Sequence, residues 1–306
     1  MKYLIVGTGG VGGSIAGFLA LAAKNVTCIA RGAHLSAMQE RGLHLISGLQ
    51  GDHYLPIPAC LEAEYHDKAD VIFVCVKAYS LDSVMPLIQK AAHPDTLVIP
   101  ILNGFGYGDK IEQATGLTTV LDGCVYIVGF VSGAGEITQM GKAFRLVFGA
   151  RTAAIATKYA SLMQQIQADL QTSGIKTQIS DNIRRDTFIK WSFISAMACT
   201  GAYYNVPMEA LQHEGEERRT FAGLSDESVA IGKKSGFDIP PNQTEKNLKV
   251  IDSLAPESTA SMQKDLERGA QSELNELLFE MVALGQKMQI DMPVYQMVMK
   301  KYIPIK

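Results

Sequence analysis

The sequence has few cysteines and lacks the patterns that would bind a metal or build a disulfide framework. Its five cysteines are scattered, their number is odd, and no two of them have CxxC spacing. This pattern is typical of reduced thiols and predicts a cytoplasmic protein. The six histidines lack metal-ligand spacing such as HxxxH, so we expect no metal site.

A strong excess of charge is also missing. The formal net charge is −3, and no polybasic segment is present. This excludes the usual electrostatic footprint of nucleic-acid binding or of attachment to a membrane surface. With 306 residues, of which 47% are hydrophobic and 19% charged, the chain has the composition of a globular protein long enough for two domains.

The N-terminal stretch "MKYLIVG…FLALAAK" could be taken for a signal peptide, because a lysine precedes apolar residues. Five glycines between residues 7 and 13 interrupt that apolar stretch, and glycine is unfavourable within a helix. A buried strand, a glycine-rich turn and a helix account for all of them. We therefore favour the strand–turn–helix interpretation.

Up to about residue 180, short apolar runs alternate with helical patterns. "KYLIV", "NVTCIAR", "ADVIFVCVK" and "DTLVIPILNG" are typical of buried strands, and "GEITQMGKAFRLVFG" resembles a hairpin-like pair of strands. Such alternation predicts an α/β domain with a mostly parallel sheet covered by helices. Beyond residue 180 helical patterns dominate. We predict a dinucleotide-binding domain at residues 1–180 and a helical substrate domain at 181–306.

The first strand is followed by GxGxxG, formed by Gly7, Gly9 and Gly12. In a dinucleotide-binding turn the first glycine allows the tight turn, the second lets the pyrophosphate approach, and the third lets helix and strand pack closely. The following helix offers unpaired N–H groups to phosphate. Because the motif has both its strand and its helix, it predicts a dinucleotide site. The predicted loop residues are Gly7, Thr8, Gly9, Gly10, Val11 and Gly12.

The end of the second strand discriminates between the two nicotinamide cofactors. NAD-binding domains usually carry Asp or Glu there to bind the ribose hydroxyls. This sequence has Ala30-Arg31 instead. A guanidinium pairs with a 2′-phosphate, whereas a carboxylate would repel it. Arg31 therefore predicts NADP(H), although a solvated arginine at a strand end is the alternative.

Two further polar residues, Lys77 and Asn103, follow predicted strands, at the edge where doubly wound sheets bind ligands. A third, Lys190, lies within the apolar stretch "DTFIKWSFISAMACT". An ammonium on a buried helix is costly unless it is paired, reaches water or has a function. The residues alone leave open whether Lys190 extends to water or takes part in chemistry.

Together these features resemble the ketopantoate reductase (2-dehydropantoate 2-reductase) family. The resemblance rests on the glycine motif, Arg31, Lys77, "LNG" at 102–104, "FIKWSFISAMACT" and "SMQKDLERGAQSELNEL". The last two look like the family's catalytic-lysine helix and its Ser-Met…Asp…Gly…Glu helix. The family implies an N-terminal Rossmann domain, a C-terminal all-helical domain, and reduction of ketopantoate to pantoate by NADPH for pantothenate and coenzyme A synthesis.

The resemblance also implies a role for each matching residue. Lys190 and Glu273 match the catalytic lysine and the active-site glutamate, and the glutamate also lies at the cofactor. Ser261 matches the substrate-binding serine. Lys77 and Asn103 match residues near both nicotinamide and substrate. A lysine ammonium is a suitable group to polarise a ketone and protonate the developing alkoxide.

The sequence departs from the family where many members carry two asparagines after the lysine. Ile194 and Ala198 stand at these positions, and Ser192, Ser195 or Thr200 could replace their function. The departure leaves open a different 2-keto acid substrate, or an NADP-sensing relative without turnover. A 3-hydroxy acid dehydrogenase is a further alternative, but "NGFGYGD" fits the first hypothesis better.

The predicted partner is thus a small 2-keto acid rather than nucleic acid or membrane. "LLFEMVALGQKM" is typical of a core helix and of a dimer interface, and favours a homodimer. One weak internal similarity relates "VAIGKKSGFDIPP" to "VALGQKMQIDMPV". We interpret it as a repeated helix–loop–helix arrangement rather than a repeated domain.

Overall fold

A computed structural model describes residues 1–303. The chain forms two compact units. The first comprises Met1–Leu102 and Gly106–Asp186, and the second comprises Asn103–Phe105 and the described chain from Thr187 onward. The predicted fold class, a Rossmann-type α/β domain followed by a helical domain, is confirmed. The last three residues of the predicted second domain, 304–306, lie outside the described residues.

The centre of the first unit is a parallel five-stranded sheet with the order β5-β2-β1-β6-β7. These strands are β1 (Lys2–Val6), β2 (Asn25–Ile29), β5 (Ala59–Cys60), β6 (Ala69–Val74) and β7 (Ala92–Pro100). The central strands β1 and β6 read as continuous apolar runs because helices cover both faces of a parallel sheet. All neighbouring strands pair in parallel, so their carboxyl ends share one edge.

A second, mixed sheet in this unit has the order β10-β9-β3-β4, with β8 paired to β9. Its strands are β3 (Leu43–Ser47), β4 (Gly51–Leu55), β8 (Asp122–Gly133), β9 (Glu136–Gly149) and β10 (Lys176–Ile179). The prediction that "GEITQMGKAFRLVFG" forms a pair of strands is wrong. That segment is the single strand β9, and its antiparallel partner is β8, because the turn lies earlier in the chain.

The helices of the first unit are α1 (Gly10–Leu21), α2 (Gly32–Arg41), α3 (Leu81–Ala91), α4 (Tyr107–Thr115), α5 (Ala153–Lys158) and α6 (Ala160–Thr172), with 3-10 turns at Glu62–Glu64 and Ala78–Ser80. Helix α1 is buried on almost every side. A Cβ on Gly13 would lie 2.6 Å from Ile137 of β9, and one on Gly17 would lie 2.9 Å from Leu45 of β3. These glycines let the second sheet pack closely on α1.

The second unit is helical in its described part. It contains α7 (Ile183–Tyr204, which begins in the first unit), α8 (Met208–Gln212), α9 (Glu216–Lys234), α10 (Gln243–Asp252), α11 (Ser261–Glu267), a π-helical turn (Asn275–Phe279), α12 (Glu280–Lys287) and α13 (Pro293–Lys300). Side chains from α7, α9, α12 and α13 form its apolar core. Helix α7 therefore faces core residues along most of its length.

Membrane-spanning helices and metal-binding clusters are both absent from the described residues. No helix within residues 1–303 has the length and apolar character needed to cross a membrane. Over the same range, no group of His, Cys, Asp and Glu side chains has an arrangement suited to a metal ion.

Candidate active site

The glycine loop lies between β1 and α1 in the first unit, and its shape depends on missing side chains. Gly7 has a φ of 96°, a left-handed conformation that favours glycine. A Cβ on Gly12 would lie 2.1 Å from the carbonyl oxygen of Gly7, so any larger residue would force the loop apart. A Cβ on Gly9, in contrast, would have open space within 4 Å. The loop is thus tightly packed against the protein at Gly12 and has free space beside Gly9.

This loop also has the electrostatic character of an anion site. The first turn of α1 has no acidic side chain, and its N-cap Gly9 makes no side-chain hydrogen bond. The N–H of Gly13 donates to the carbonyl oxygen of Gly9 at 2.7 Å, and the N–H groups before it, with the helix dipole, suit an anion. Thr8 is buried, and both its N–H and its hydroxyl donate to the carbonyl oxygen of Ile29, at 3.2 and 2.9 Å. The loop is therefore held against the end of β2, two residues before Arg31.

Arg31 and Lys77 lie where their strands end. Arg31 is exposed at the N-cap of α2, directly beyond β2. Lys77 is half-buried and precedes the 3-10 turn Ala78–Ser80, three residues after β6. Both belong to the first unit and lie at the carboxyl edge of the parallel sheet, as the glycine loop does. This arrangement provides two cations at the edge where a dinucleotide binds in Rossmann-type domains.

Asn103 follows β7 in sequence but belongs to the second unit, together with Gly104 and Phe105. Its side-chain amide Nδ2 donates to Oε2 of Glu273, at 3.3 Å. The Glu273 side chain is buried, with 1% exposure, which is costly for a carboxylate unless it is hydrogen-bonded or paired. The fold thus brings together two predicted site residues that are 170 positions apart in the sequence.

Lys190 lies on α7 and is half-buried, with its ammonium 5.7 Å from the ring centroid of Phe193. Residues next to it join α7 to the segment that follows Glu273. Nε1 of Trp191 donates to the carbonyl oxygen of Glu276 at 3.0 Å. One turn later, the Ser195 hydroxyl donates to the carbonyl oxygen of Leu277. The lysine helix and the glutamate segment are therefore fixed neighbours within the second unit.

The hydroxyls proposed as substitutes for the family's asparagines are all used inside the protein. Ser192 donates to the carbonyl oxygen of Ile189 at 2.9 Å, and Thr200 donates to that of Ala196 at 2.8 Å. Ser195 bonds to Leu277, and all three hydroxyl-bearing residues have 0% exposure. The structure therefore assigns these hydroxyls to helix and core contacts rather than to a substrate.

Ile194 and Ala198 are buried as well, with 6% and 2% exposure, among the apolar side chains of the second unit. Because they lie four and eight residues after Lys190, they follow it along the same side of α7. This side of the helix offers apolar contacts where amides would offer hydrogen bonds.

Ser261 is exposed at the first position of α11. The resemblance likened the stretch from Ser261 to Leu277 to one helix, and that interpretation is wrong here. Helix α11 ends at Glu267, and helical structure resumes only at 274. Glycine at 269 and polar residues around it end the first helix. Ser261 therefore begins one helix, and Glu273 lies in the turn just before the next helical segment.

Two aromatic residues of this region escaped the sequence-based predictions. Phe105 and Trp191 stack with ring centroids 5.9 Å apart and planes inclined by 11°. Each lies next to a predicted polar residue, Phe105 two positions after Asn103 and Trp191 one position after Lys190. An aromatic residue between two glycines in "NGFG" was the available signal, because such a loop rarely carries a large apolar side chain without a packing partner.

Comparison with known proteins is in agreement with this architecture. The family model described as ketopantoate reductase PanE/ApbA matches residues 3–153, and that of its C-terminal domain matches residues 182–303. The two matches cover most of the chain, which therefore belongs to the ketopantoate reductase PanE/ApbA family. It is an oxidoreductase of this NAD(P)-dependent family.

Two relatives align over nearly the whole chain. The uncharacterized oxidoreductase YkpB of Bacillus subtilis (strain 168) is 27% identical over 300 residues, covering 97% of this chain and 96% of its own. The 2-dehydropantoate 2-reductase of Mesorhizobium japonicum is 28% identical over 312 residues, covering 94% and 92%. The Mesorhizobium relative is named for the family's activity, whereas the name of the Bacillus relative gives no substrate.

Two solved structures share the fold. D-mandelate dehydrogenase with NADH and anilino(oxo)acetate has a TM-score of 0.88 at 20% identity, covering 98% of this chain and 96% of that one. A dimeric ketopantoate reductase from Staphylococcus aureus has a TM-score of 0.82 at 20% identity, covering 97% and 96%. The same architecture thus occurs in proteins named for different 2-oxo or 2-hydroxy acids and with NADH in one of them.

Proposed function

We propose that this protein reduces 2-dehydropantoate (ketopantoate) to pantoate with NADPH, as a step toward pantothenate and coenzyme A. The observation that carries the proposal is the hydrogen bond from Asn103 to the buried Glu273, beside the helix that bears Lys190. The named activity of the Mesorhizobium relative supports the same substrate. The scattered cysteines support a cytoplasmic location.

In this proposal each polar residue of the second unit has a chemical task. When bound, a reduced nicotinamide would supply a hydride to the keto carbon. The Lys190 ammonium polarises the keto oxygen and donates a proton to it as negative charge develops there. Glu273 binds the substrate hydroxyl. Asn103 orients Glu273, and Ser261 binds the substrate carboxylate and hydroxyls.

The first unit would hold the dinucleotide. The open space at Gly9 and the N–H groups of the first turn of α1 fit a pyrophosphate. Arg31, exposed beyond β2, would pair with the 2′-phosphate and so favour NADPH over NADH. Lys77, at the same edge of the sheet, adds positive charge for the cofactor.

A substrate panel tests the proposal. The oxidation of NADPH is followed with ketopantoate, pyruvate, 2-ketoisovalerate and 2-ketoisocaproate, and the panel is repeated with NADH. We expect ketopantoate to be turned over fastest and NADPH to be strongly preferred. Tight binding of NADPH with no turnover of any keto acid would instead support an NADP-sensing relative.

A second candidate is the reduction of a less polar 2-keto acid. It is favoured by Ile194 and Ala198, which are apolar residues on the same side of α7 as Lys190. In the panel this candidate predicts faster turnover of 2-ketoisocaproate than of ketopantoate. We also propose a homodimer, supported by the dimeric relative and tested by light scattering.

A further inference from the structure

Phe105 anchors the tripeptide Asn103–Phe105 in the second unit through a cluster of four aromatic rings. Its ring stacks on Trp191 and meets Phe188 edge-on, with centroids 5.4 Å apart and planes inclined by 83°. It also meets Phe237 at 5.6 Å and 71°. Offset-stacked and edge-to-face arrangements are the favourable geometries of aromatic pairs. The ring of Phe105 is therefore held in one packing position by three aromatic neighbours.

The tripeptide Asn103–Phe105 thus contacts both the glutamate segment and helix α7. Asn103 donates to Glu273, and Phe105 stacks on Trp191, the residue after Lys190. Trp191 in turn donates to the carbonyl oxygen of Glu276, three residues beyond Glu273. A continuous path of contacts therefore joins the loop, the lysine helix and the glutamate segment.

The hydrogen bond from Asn103 to Glu273 would by itself hold this loop weakly. At 3.3 Å it is longer than a typical charge-assisted bond, and Asn103 is half-exposed. The three ring contacts of Phe105 restrict the same short stretch of chain to one position. The aromatic side chain therefore restricts where the amide of Asn103, two residues earlier, can lie.

We propose that Phe105 is a positioning residue of the active site, which seats Asn103 against Glu273 and ties that pair to the helix of Lys190. The inference rests on the proposed function for its effect on turnover. Phe105 itself is not assigned a contact with substrate or cofactor. Its ring acts through Asn103 and Trp191.

The test compares Phe105→Leu, which removes the ring, with Phe105→Tyr, which keeps it. Phe221→Leu is the matched control, because Phe221 is fully buried in the same unit and contacts Phe193 outside the cluster. Misplacement of a catalytic contact by about 1 Å can cost about a hundredfold in rate. We therefore expect Phe105→Leu to lower kcat by about tenfold to a hundredfold. The dissociation constant of NADPH should change far less in Phe105→Leu. The kcat of Phe105→Tyr and of the control should also change far less.

Trp191 provides a readout that does not depend on any substrate, because it is the single tryptophan of the chain. Its fluorescence emission should shift to the red in Phe105→Leu and stay unchanged in Phe221→Leu. A thermal-unfolding cycle with Asn103→Ala completes the test. The loss of melting temperature caused by Asn103→Ala should be present in the wild type and absent in Phe105→Leu, if the ring seats the amide.

Unchanged Trp191 emission, or additive effects of Asn103→Ala and Phe105→Leu, would overturn the proposal. So would a kcat of Phe105→Leu equal to that of the control. If the wild-type protein reduces none of the keto acids, the proposed function fails separately. The emission and the unfolding cycle then decide whether Phe105 seats Asn103.

Discussion

The two candidate binding regions are built from different parts of the polypeptide. In the first unit the glycine loop is shaped by backbone, with Gly12 pressed against the carbonyl oxygen of Gly7 and open space at Gly9. In the second unit the polar cluster is shaped by side chains, with Asn103 bonded to Glu273. The glycine loop requires positions that carry no side chain. The polar cluster requires particular side chains at particular positions.

This difference determines how each region should respond to substitution. A small side chain added to the glycine loop disturbs the geometry of the loop itself. A side chain removed from the second unit leaves the backbone in place and removes a chemical group. Turnover should therefore depend most on the second unit, and cofactor affinity and selectivity on the first.

The largest effect is expected for Lys190→Ala. Loss of a general acid commonly lowers the rate by about 10²–10⁴-fold, so kcat should fall by that factor while the dissociation constant of NADPH changes little. Steady-state kinetics and NADPH fluorescence titration measure the two quantities. Lys249→Ala, on the exposed face of α10, is the control. Unchanged turnover in Lys190→Ala would remove Lys190 from the proposed mechanism.

The second effect concerns a buried carboxylate of the first unit, for comparison with Glu273 in the second. Burial raises the pKa of Asp122 to about 7, nearby Asp109 adds to the rise, and the backbone N–H of Gly108 opposes it. The unfolded chain releases this proton near its ordinary pKa of 3.8, whereas the folded protein keeps it until about 7. The free energy of unfolding should therefore fall as pH rises from 4 to 7.

Asp122→Asn removes this titration and can still accept from Gly108. Relative to the wild type, we expect the variant to gain on the order of 2–4 kcal/mol in stability between pH 4 and pH 8. Urea unfolding at a series of pH values measures the gain. A difference in stability between the two proteins that is independent of pH would contradict the raised pKa.

The third effect separates the two nicotinamide cofactors. Hydrogen bonds to charged groups contribute about 1.5–3 kcal/mol, so Arg31→Ala should weaken NADPH binding by roughly tenfold to a hundredfold. NADH lacks the 2′-phosphate, so its affinity should be nearly unchanged. Arg219→Ala, on the exposed surface of α9, provides the control. Equal losses for the two cofactors would assign Arg31 a role unrelated to the phosphate.

The fourth effect divides the roles of two glycines in the loop. A Cβ at Gly12 would overlap the carbonyl oxygen of Gly7, and overpacking of this kind costs about 1–3 kcal/mol. Gly12→Ala should therefore lower the melting temperature and weaken NADPH binding. Gly9→Ala has room in the protein and should weaken NADPH binding at an unchanged melting temperature, because the pyrophosphate needs the space. Equal thermal losses in the two variants would refute this division.

The smallest effect tests the weak internal similarity, whose two copies both lie in the second unit. Helices α9 and α12 end alike, since Phe237 and Ile290 each donate a backbone N–H to a carbonyl five residues earlier. Gly236 (φ 84°) and Gln289 (φ 52°) take the left-handed position in the two turns. Gln289→Gly should stabilise the protein and Gly236→Ala destabilise it, each by about 1 kcal/mol. Thermal unfolding measures both, and shifts of the same sign would contradict the equivalence.

Much of the fold was predictable because its signals are local. The apolar strands β1 and β6, the glycines between β1 and α1, and the helical texture after residue 180 all depend on neighbouring residues. The second sheet was missed, because its pairing joins β3 to β9 across about ninety residues and leaves no mark in either strand alone. Within α1, Gly13 and Gly17 were the residues that could have indicated close packing of a second sheet.

The glycine turn between β1 and α1, the fold class and the resemblance to a family of oxidoreductases could all be predicted from the sequence alone. These depend on residue types at fixed short spacings, which local backbone geometry converts directly into structure. Three features depended on tertiary packing: the bond from Asn103 to Glu273, the stacking of Phe105 on Trp191, and the use of the hydroxyls of Ser192, Ser195 and Thr200 in core contacts. Such contacts follow from how distant segments pack, and packing depends on the whole chain at once.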